Sequence, residues 1–414
     1  MNKAIPGLRQ GAYLWFMMFT NHLKRNGFTQ KEVEPCLFAF FTEKVICILL
    51  IHTDNVIVGT NDKTFLDNLM KKEWSKEFIA EYAHSNSILG LQIDRIDEHA
   101  FEFSQPNYLN EMLEEFDDAD IKSPSIPIRE NIERDYDVSL MSTSVDAKIP
   151  YRRLVMKLQW LFRGSRHDIG YAVGFFARYQ NCYTEALYQE LRKVVFYLRE
   201  TKNITLICRY DPYRPLILKF VCDASLSNMA DSKSTIGVIG YIQDFPFYVS
   251  SKTCKAILTS SCETESHSIF EACKMAVYAR NWIRQFTNCV DPVFVFNDNE
   301  AAISIMSTYS NSGRSRHFSI KLRYVIGLIT KGLIKLGYVK SDDNAADILT
   351  HSLGPQKFIP RRGMLSGSGG GTAVSLLSQK GGDSKRTLVR MATAEEVKTF
   401  TSYLSRLVVQ GDLL

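Results

Sequence analysis

Two short apolar runs stand out near the start of the chain. Val45–Ile51 and Val56–Gly59 flank the polar stretch His52-Thr53-Asp54-Asn55, the pattern of a β-hairpin. Further along the period changes. Leu154, Leu158 and Leu161, then Tyr171, Val173, Phe176 and Tyr179, then Leu187, Leu191, Val195 and Leu198 recur at helical spacing through Tyr151–Thr201. Between these regions Lys122–Lys148 is polar, carries Pro124 and Pro127, and reads as a connection between domains.

From Leu206 to Leu353 strand and helix patterns alternate. Pro215–Ala224, Ser234–Ile242 and Phe245–Lys252 predict three strands joined by short turns. Cys262–Phe286 has a helical period, Pro292–Phe296 is a short buried-strand run, and Ser315–Lys331 predicts another helix. A strand at Leu333–Val339 and a closing helix from Ala345 complete the series. The fold class is therefore α/β with α+β elements, its C-terminal half a mixed sheet flanked by helices. Beyond it, Ser366–Gly371 has linker composition. A capped amphipathic helix is predicted after Thr393, with Val397, Phe400, Leu404, Leu407 and Val408 on one face.

Composition narrows the class. A chain of 414 residues exceeds one ordinary domain, and 45% hydrophobic with 23% charged residues is the balance of a folded protein. The net charge of +5 permits a polyanionic partner without requiring one. Nine cysteines occur singly with no Cys-x-x-Cys pair, so they read as reduced core thiols, not as a zinc site or disulfide frame. The longest apolar run falls far short of a membrane span and no signal-peptide core follows Met1. An intracellular location, cytoplasmic or nuclear and not secreted, with no membrane partner, is expected.

Four carboxylates fall where such a sheet presents ligands. Asp223 ends a strand and Asp298 stands just past one, while Glu265 and Asp347 lie near predicted helix starts. Carboxylates converging from four elements bind hard cations. Spacing alone leaves the alternative of caps and solvated surface charges open, and it leaves Glu263 beside Glu265.

The words around these residues resemble a copia-type LTR retrotransposon Pol polyprotein. Ser232–Thr235, Val249–Lys252, Leu258–Glu265, Asp298–Ile303, Ser315–His317 with Ile320–Tyr324, and Val339–Thr350 match in order. The resemblance puts that family's RNase H carboxylates on Asp223, Glu265, Asp298 and Asp347. It implies two Mg2+ ions, or Mn2+, and an RNA–DNA hybrid or other nucleic acid as partner; protein partners are unknown. There are departures: Asp223-Ala224-Ser225-Leu226 lacks the family's second Asp and its Trp, Ser266 replaces an aromatic, and His351 replaces a Lys.

The N-terminal third resembles the same family's reverse transcriptase, through Gly7–Gln10, Trp15, Gly27-Phe28, Pro35–Phe38, Leu89–Ile93 and Phe103–Gln105. Tyr151–Val155 and Asp168–Val173 match its connecting region. The expected division is a truncated palm/thumb remnant over 1–122, a linker and helical connection over 123–204, an RNase H-like domain over 205–353, and a tail of unknown role over 354–414.

The polymerase site reads as incomplete. Where the family has Tyr-x-Asp-Asp, the turn keeps Asp54 but has Asn55 in place of the second acid, and the early palm Asp has no counterpart. The hairpin is also expected to lack strands to pair with. Basic residues Arg314, Arg316 and Arg323, with His317, form the candidate phosphate-facing patch, and Arg280 and Arg284 lie on the long helix. The function implied is two-metal hydrolysis of the RNA strand of a hybrid. The alternative is an inactive relic or a recruited nucleic-acid- or protein-binding module.

Overall fold

The computed structural model describes residues 9–53, 55–78, 82, 86–138, 140–255, 257–287, 292–308 and 319–367. Helix α1 (Arg9–Arg25) precedes an antiparallel sheet in the order β1 (Thr29–Gln30), β2 (Leu37–Phe41), β3 (Ile46–His52), β4 (Asn55–Thr60). The β3–β4 hairpin matches the expected one, with His52 opposite Asn55. It does not lack a neighbour, however. Strand β2 lies alongside β3 with Leu37 opposite Leu50, because Leu37-Phe38-Ala39 is apolar enough to be buried there. Phe38, Cys47, Leu49 and Ile51 then pack with Phe19 and Leu23 of α1 and with Trp74. A short helix α2 (Lys63–Asn68) follows, its N-terminus capped by the Asp62 carboxylate.

A second antiparallel sheet runs β5 (Ser87–Ile88), β6 (Leu91–Asp97), β7 (Ala100–Ser104), β8 (Leu206–Arg209). Its last strand comes from beyond the connecting region, with Phe101 opposite Cys208. Helix α3 (Pro106–Phe116) starts on a proline, where the missing N–H costs nothing, and buries Leu109, Met112 and Phe116. Helices α4 (Tyr151–Gly164), α5 (Gly170–Ala177) and α6 (Glu185–Glu200) make the connector. The helical period read from the sequence holds: Leu154, Leu158, Leu161, Leu187 and Leu191 are fully buried in one core.

The third sheet has the order β11-β10-β9-β12-β13, from β9 (Leu218–Ser225), β10 (Thr235–Ile242), β11 (Phe245–Thr253), β12 (Val293–Asn297) and β13 (Ile334–Tyr338). The first three strands form the predicted antiparallel meander, and β12 joins β9 and β13 in parallel. Helices α7 (Ser261–Ile283), α8 (Glu300–Ser307) and α9 (Ser319–Thr330) cover one face, where Ile269, Ala272 and Ala276 meet Phe220, Val238 and Val295. On the other face Val221, Ile239 and Phe296 belong to the connector's core. Successive β9 side chains alternate between these faces, so the strand is buried on both sides.

Sequence reading passed over α8. The closing helix is a 3-10 turn, Ala345–Leu349, followed by α10 (Pro355–Ser366). Helix α10 occupies a stretch expected to be tail, and Phe358 and Leu365 anchor it in the connector core. The amphipathic helix expected after Thr393 lies outside the described residues. Among the described residues no helix is long and apolar enough to cross a membrane.

Candidate active site

Parallel pairing sets the geometry. Val221 stands opposite Phe296 across β9 and β12, so Asp223 and Asp298, each two residues further on, come level at the same sheet end. The first turn of α7 passes over that end. Its N-cap Ser260 accepts from the Glu263 N–H, and the Glu263 carboxylate accepts from the Thr259 N–H at 3.0 Å and its hydroxyl at 2.9 Å. Glu263 is thereby spent on the helix start, whereas Glu265 is buried and turned inward. One ligand oxygen from each of Asp223, Glu265 and Asp298 lies within 4.8 Å of the others. A second group shares Asp223: its carboxylate, that of Asp347 and the His351 ring meet the same limit.

Buried amides and hydroxyls hold these groups. The Asn297 amide donates to Glu265 Oε2 at 2.8 Å and to the Cys222 carbonyl at 3.1 Å. Ser268 Oγ also donates to Glu265 Oε2, at 3.3 Å. Asn344 donates to the same Cys222 carbonyl at 3.3 Å, and its own side-chain oxygen caps the turn carrying Asp347 by accepting from the Ala346 N–H. The peptide leading into Asp223 is thus gripped from two sides. Thr350 Oγ1 donates to Asp223 Oδ2, and Ser341 Oγ donates to Asp298 Oδ2 at 2.6 Å. Gly237 of β10 is what lets the Asp347 turn lie on the sheet: a Cβ there would stand 2.8 Å from the Ala346 carbonyl oxygen and 2.9 Å from Leu349 Cβ.

Charge accumulates in this dry place. Burial raises the Asp223 pKa well above the usual carboxylate range, and the Asp347 and Asp298 charges raise it further. Burial, then the Asp223 charge, does the same to Glu265. Asp347 is also raised by burial, though His351 and Arg361 oppose it. Arg361 sets Nη2 3.2 Å from Asp347 Oδ2 and also donates to the carbonyls of Asn344 at 3.3 Å and Ser341 at 2.9 Å. Carboxylates that repel one another while nearly shielded from water form a donor set that fits divalent cations, which relieve the repulsion that burial intensifies.

The other expected residues fall elsewhere. Asn55 is exposed at the start of β4, and Asp54 lies outside the described residues. Arg314, Arg316 and His317 also lie outside them, while Arg323 is exposed on α9. Arg284 is exposed, but Arg280 is only 4% exposed, too buried to meet a phosphate backbone. Sequence reading missed Asn297, Asn344, Thr350, Gly237 and Arg361. For Asn297 a signal existed: a polar residue interrupting an apolar strand just before Asp298.

The reverse transcriptase (RNA-dependent DNA polymerase) family model matches residues 1–130. The retrovirus-related Pol polyprotein from transposon TNT 1-94 of Nicotiana tabacum is 25% identical over 368 residues, covering 86% of this chain and 27% of that polyprotein. The chain is similar to the retrovirus-related Pol polyproteins of transposons. It spans little more than a quarter of the length of that relative. The resemblance read from the motifs is borne out, and the mixed α/β architecture agrees with the expected fold class. Among solved structures, a foamy viral protease-reverse transcriptase in complex with dsDNA is 11% identical, with a TM-score of 0.44 and coverage of 81% of this chain and 60% of that one. RNase H1 from the halophilic archaeon Halobacterium salinarum is 14% identical, with a TM-score of 0.25, over 32% of this chain and 93% of its own.

Proposed function

We propose that this Pol relative hydrolyses the RNA strand of an RNA–DNA hybrid at the Asp223 site, with two Mg2+ ions held by Asp223, Glu265, Asp298 and Asp347. The observation that carries the reading is the sharing of Asp223 between two ligand groups at one sheet end. A carboxylate common to two cation positions is what a paired-metal phosphodiesterase requires. When bound, such cations supply Lewis-acid polarisation of the phosphate and a more acidic water.

The chain's own residues do the positioning. Asn297 and Ser268 fix Glu265, Thr350 fixes Asp223, Ser341 fixes Asp298 and Arg361 fixes Asp347. Little reorganisation is then needed when substrate arrives. Asp298 is the least buried of the three acids in its group, which leaves it the most accessible of them to a phosphodiester. Exposed Arg284 and Arg323 supply cationic side chains for phosphate contacts that ignore base identity. The hairpin site differs: Asn55 contributes a neutral amide where charge is needed, so DNA polymerisation is not part of the reading.

The test uses the full chain with Mg2+ and a hybrid labelled in its RNA strand. Cleavage that disappears in Asp298→Asn supports the reading. A folded wild-type protein that leaves the hybrid intact overturns it, and leaves a nucleic-acid-binding or inactive protein.

A further inference from the structure

His351 is the one imidazole beside the Asp223 carboxylate among the described residues, and its surroundings suit more than an incidental ion pair. It stands four residues after Asp347, and the His351 N–H donates to the Asp347 carbonyl at 3.2 Å. That single i→i+4 bond, closing the chain just past the 3-10 turn, brings the two side chains to the same side, where both can reach one ion. The ring is also oriented. Nδ1 lies 3.4 Å from the Ser225 hydroxyl, which leaves Nε2 directed at Asp347 Oδ1, 3.7 Å away.

A gap of 3.7 Å is too long for a good hydrogen bond. Two donors bound to one cation at about 2.1 Å each stand roughly 3–4 Å apart, so the spacing suits joint ligation. Asp347 is divided to match: Arg361 holds Oδ2, and Oδ1 faces the imidazole. Access is open. The His351 side chain is 42% exposed, and it lines a cavity of about 440 Å³ together with Ser225, Asn228 and Ser352.

We infer that His351 is a direct metal ligand, joining Asp223 and Asp347 at one of the two cation positions and biasing that position toward Mn2+ over Mg2+. The inference rests on the two-cation reading above and adds a nitrogen donor to it. Imidazole suits borderline transition-metal ions, whereas Mg2+ keeps to oxygen donors and water. The Ser225 hydroxyl supports the ligand from behind by fixing the ring and its tautomer. The other position, with Asp223, Glu265 and Asp298, is all oxygen and keeps its tolerance for Mg2+.

The full chain loaded with Mn2+ gives the test through electron spin-echo spectroscopy, which detects 14N bound to the ion, and through calorimetric titration with Mn2+ and Mg2+ separately. Wild type should bind two Mn2+ ions and show nitrogen coupling. His351→Lys, which keeps reach and positive charge but offers no lone pair, should lose the coupling and weaken Mn2+ at one position by roughly tenfold or more. Mg2+ binding at the other position should be unchanged in that variant. Asp298→Asn should show the converse, weakening one position while the nitrogen signal persists. Two bound Mn2+ ions without nitrogen coupling, or coupling that survives in His351→Lys, overturn the ligand assignment and leave the two-cation reading intact. A folded chain that binds neither ion overturns both.

Discussion

Arg361 places its Nη2 3.2 Å from Asp347 Oδ2, joining a helix of the tail-ward segment to the acid at the far side of the candidate site. The guanidinium is nearly buried and also donates to the carbonyls of Asn344, Lys357 and Ser341, so its position is fixed by four partners. Arg361→Gln removes the charge and strands the carboxylate. The expected result is a loss of about 3 kcal/mol in stability together with weaker Mn2+ binding. Thermal unfolding and calorimetry read the two effects separately, and unchanged metal binding in a folded variant would refute the positioning role.

Asn297→Ala should act through Glu265. The amide donates to both Glu265 Oε2 and the Cys222 carbonyl, and the side chain is 1% exposed. Truncation leaves both acceptors short of a donor in a dry site, at a cost of about 1–3 kcal/mol. Hybrid cleavage should fall further than stability explains, because a mobile Glu265 no longer meets Asp223 and Asp298. Comparing cleavage rates at a temperature where both proteins are fully folded checks this.

Gly237→Ala tests the closeness of the Asp347 turn to the sheet. The added Cβ would press on the backbone oxygen of Ala346 and on Leu349, neither of which can swing away. Overpacking of this kind costs about 1–3 kcal/mol. A lower unfolding temperature is expected, with weakened Mn2+ binding at the position that uses Asp347. An unaltered affinity would mean that the turn shifts as a unit without moving its carboxylate.

His167 predicts acid sensitivity away from the site. Its ring is buried in the connector core, and burial pushes its pKa down from 6.5 to about 4. Between those values the unfolded chain binds a proton that the folded chain refuses, so the stabilisation is fully present above about pH 6.5 and is lost as pH falls toward 4. The full effect is roughly 3 kcal/mol. Denaturant unfolding at a series of pH values should show the decline, and His167→Gln should flatten it whatever its stability at neutral pH.

What the sequence made legible follows from how it is buried. The connector's leucines could be read because each helix packs one stripe completely, and the strands around Asp223 and Asp298 because they are apolar on both faces. Glu263 and Glu265 could not be separated by motif, although Ser260 with Glu263 three residues on is a helix-start signal that assigns Glu263 to the cap. Arg361 was out of reach. Pro360 and Gly363 argue against a helix over Pro355–Ser366, and burial of Phe358 and Leu365 overrides that local preference. Arg280 misled for the opposite reason, since a charged residue on a long helix ordinarily faces solvent, and here it is buried.

The strand Leu206–Arg209 has a kinetic consequence. By pairing with Ala100–Ser104 it closes a loop of about a hundred residues that contains the whole connector. Such a closure is entropically slow, and it comes after the helices within the loop have had time to form locally. Once made, it removes the natural place for the chain to fray into independent halves. Amide hydrogens of that four-stranded sheet should therefore exchange only when the connector itself opens, so the two ends of the protein lose protection together.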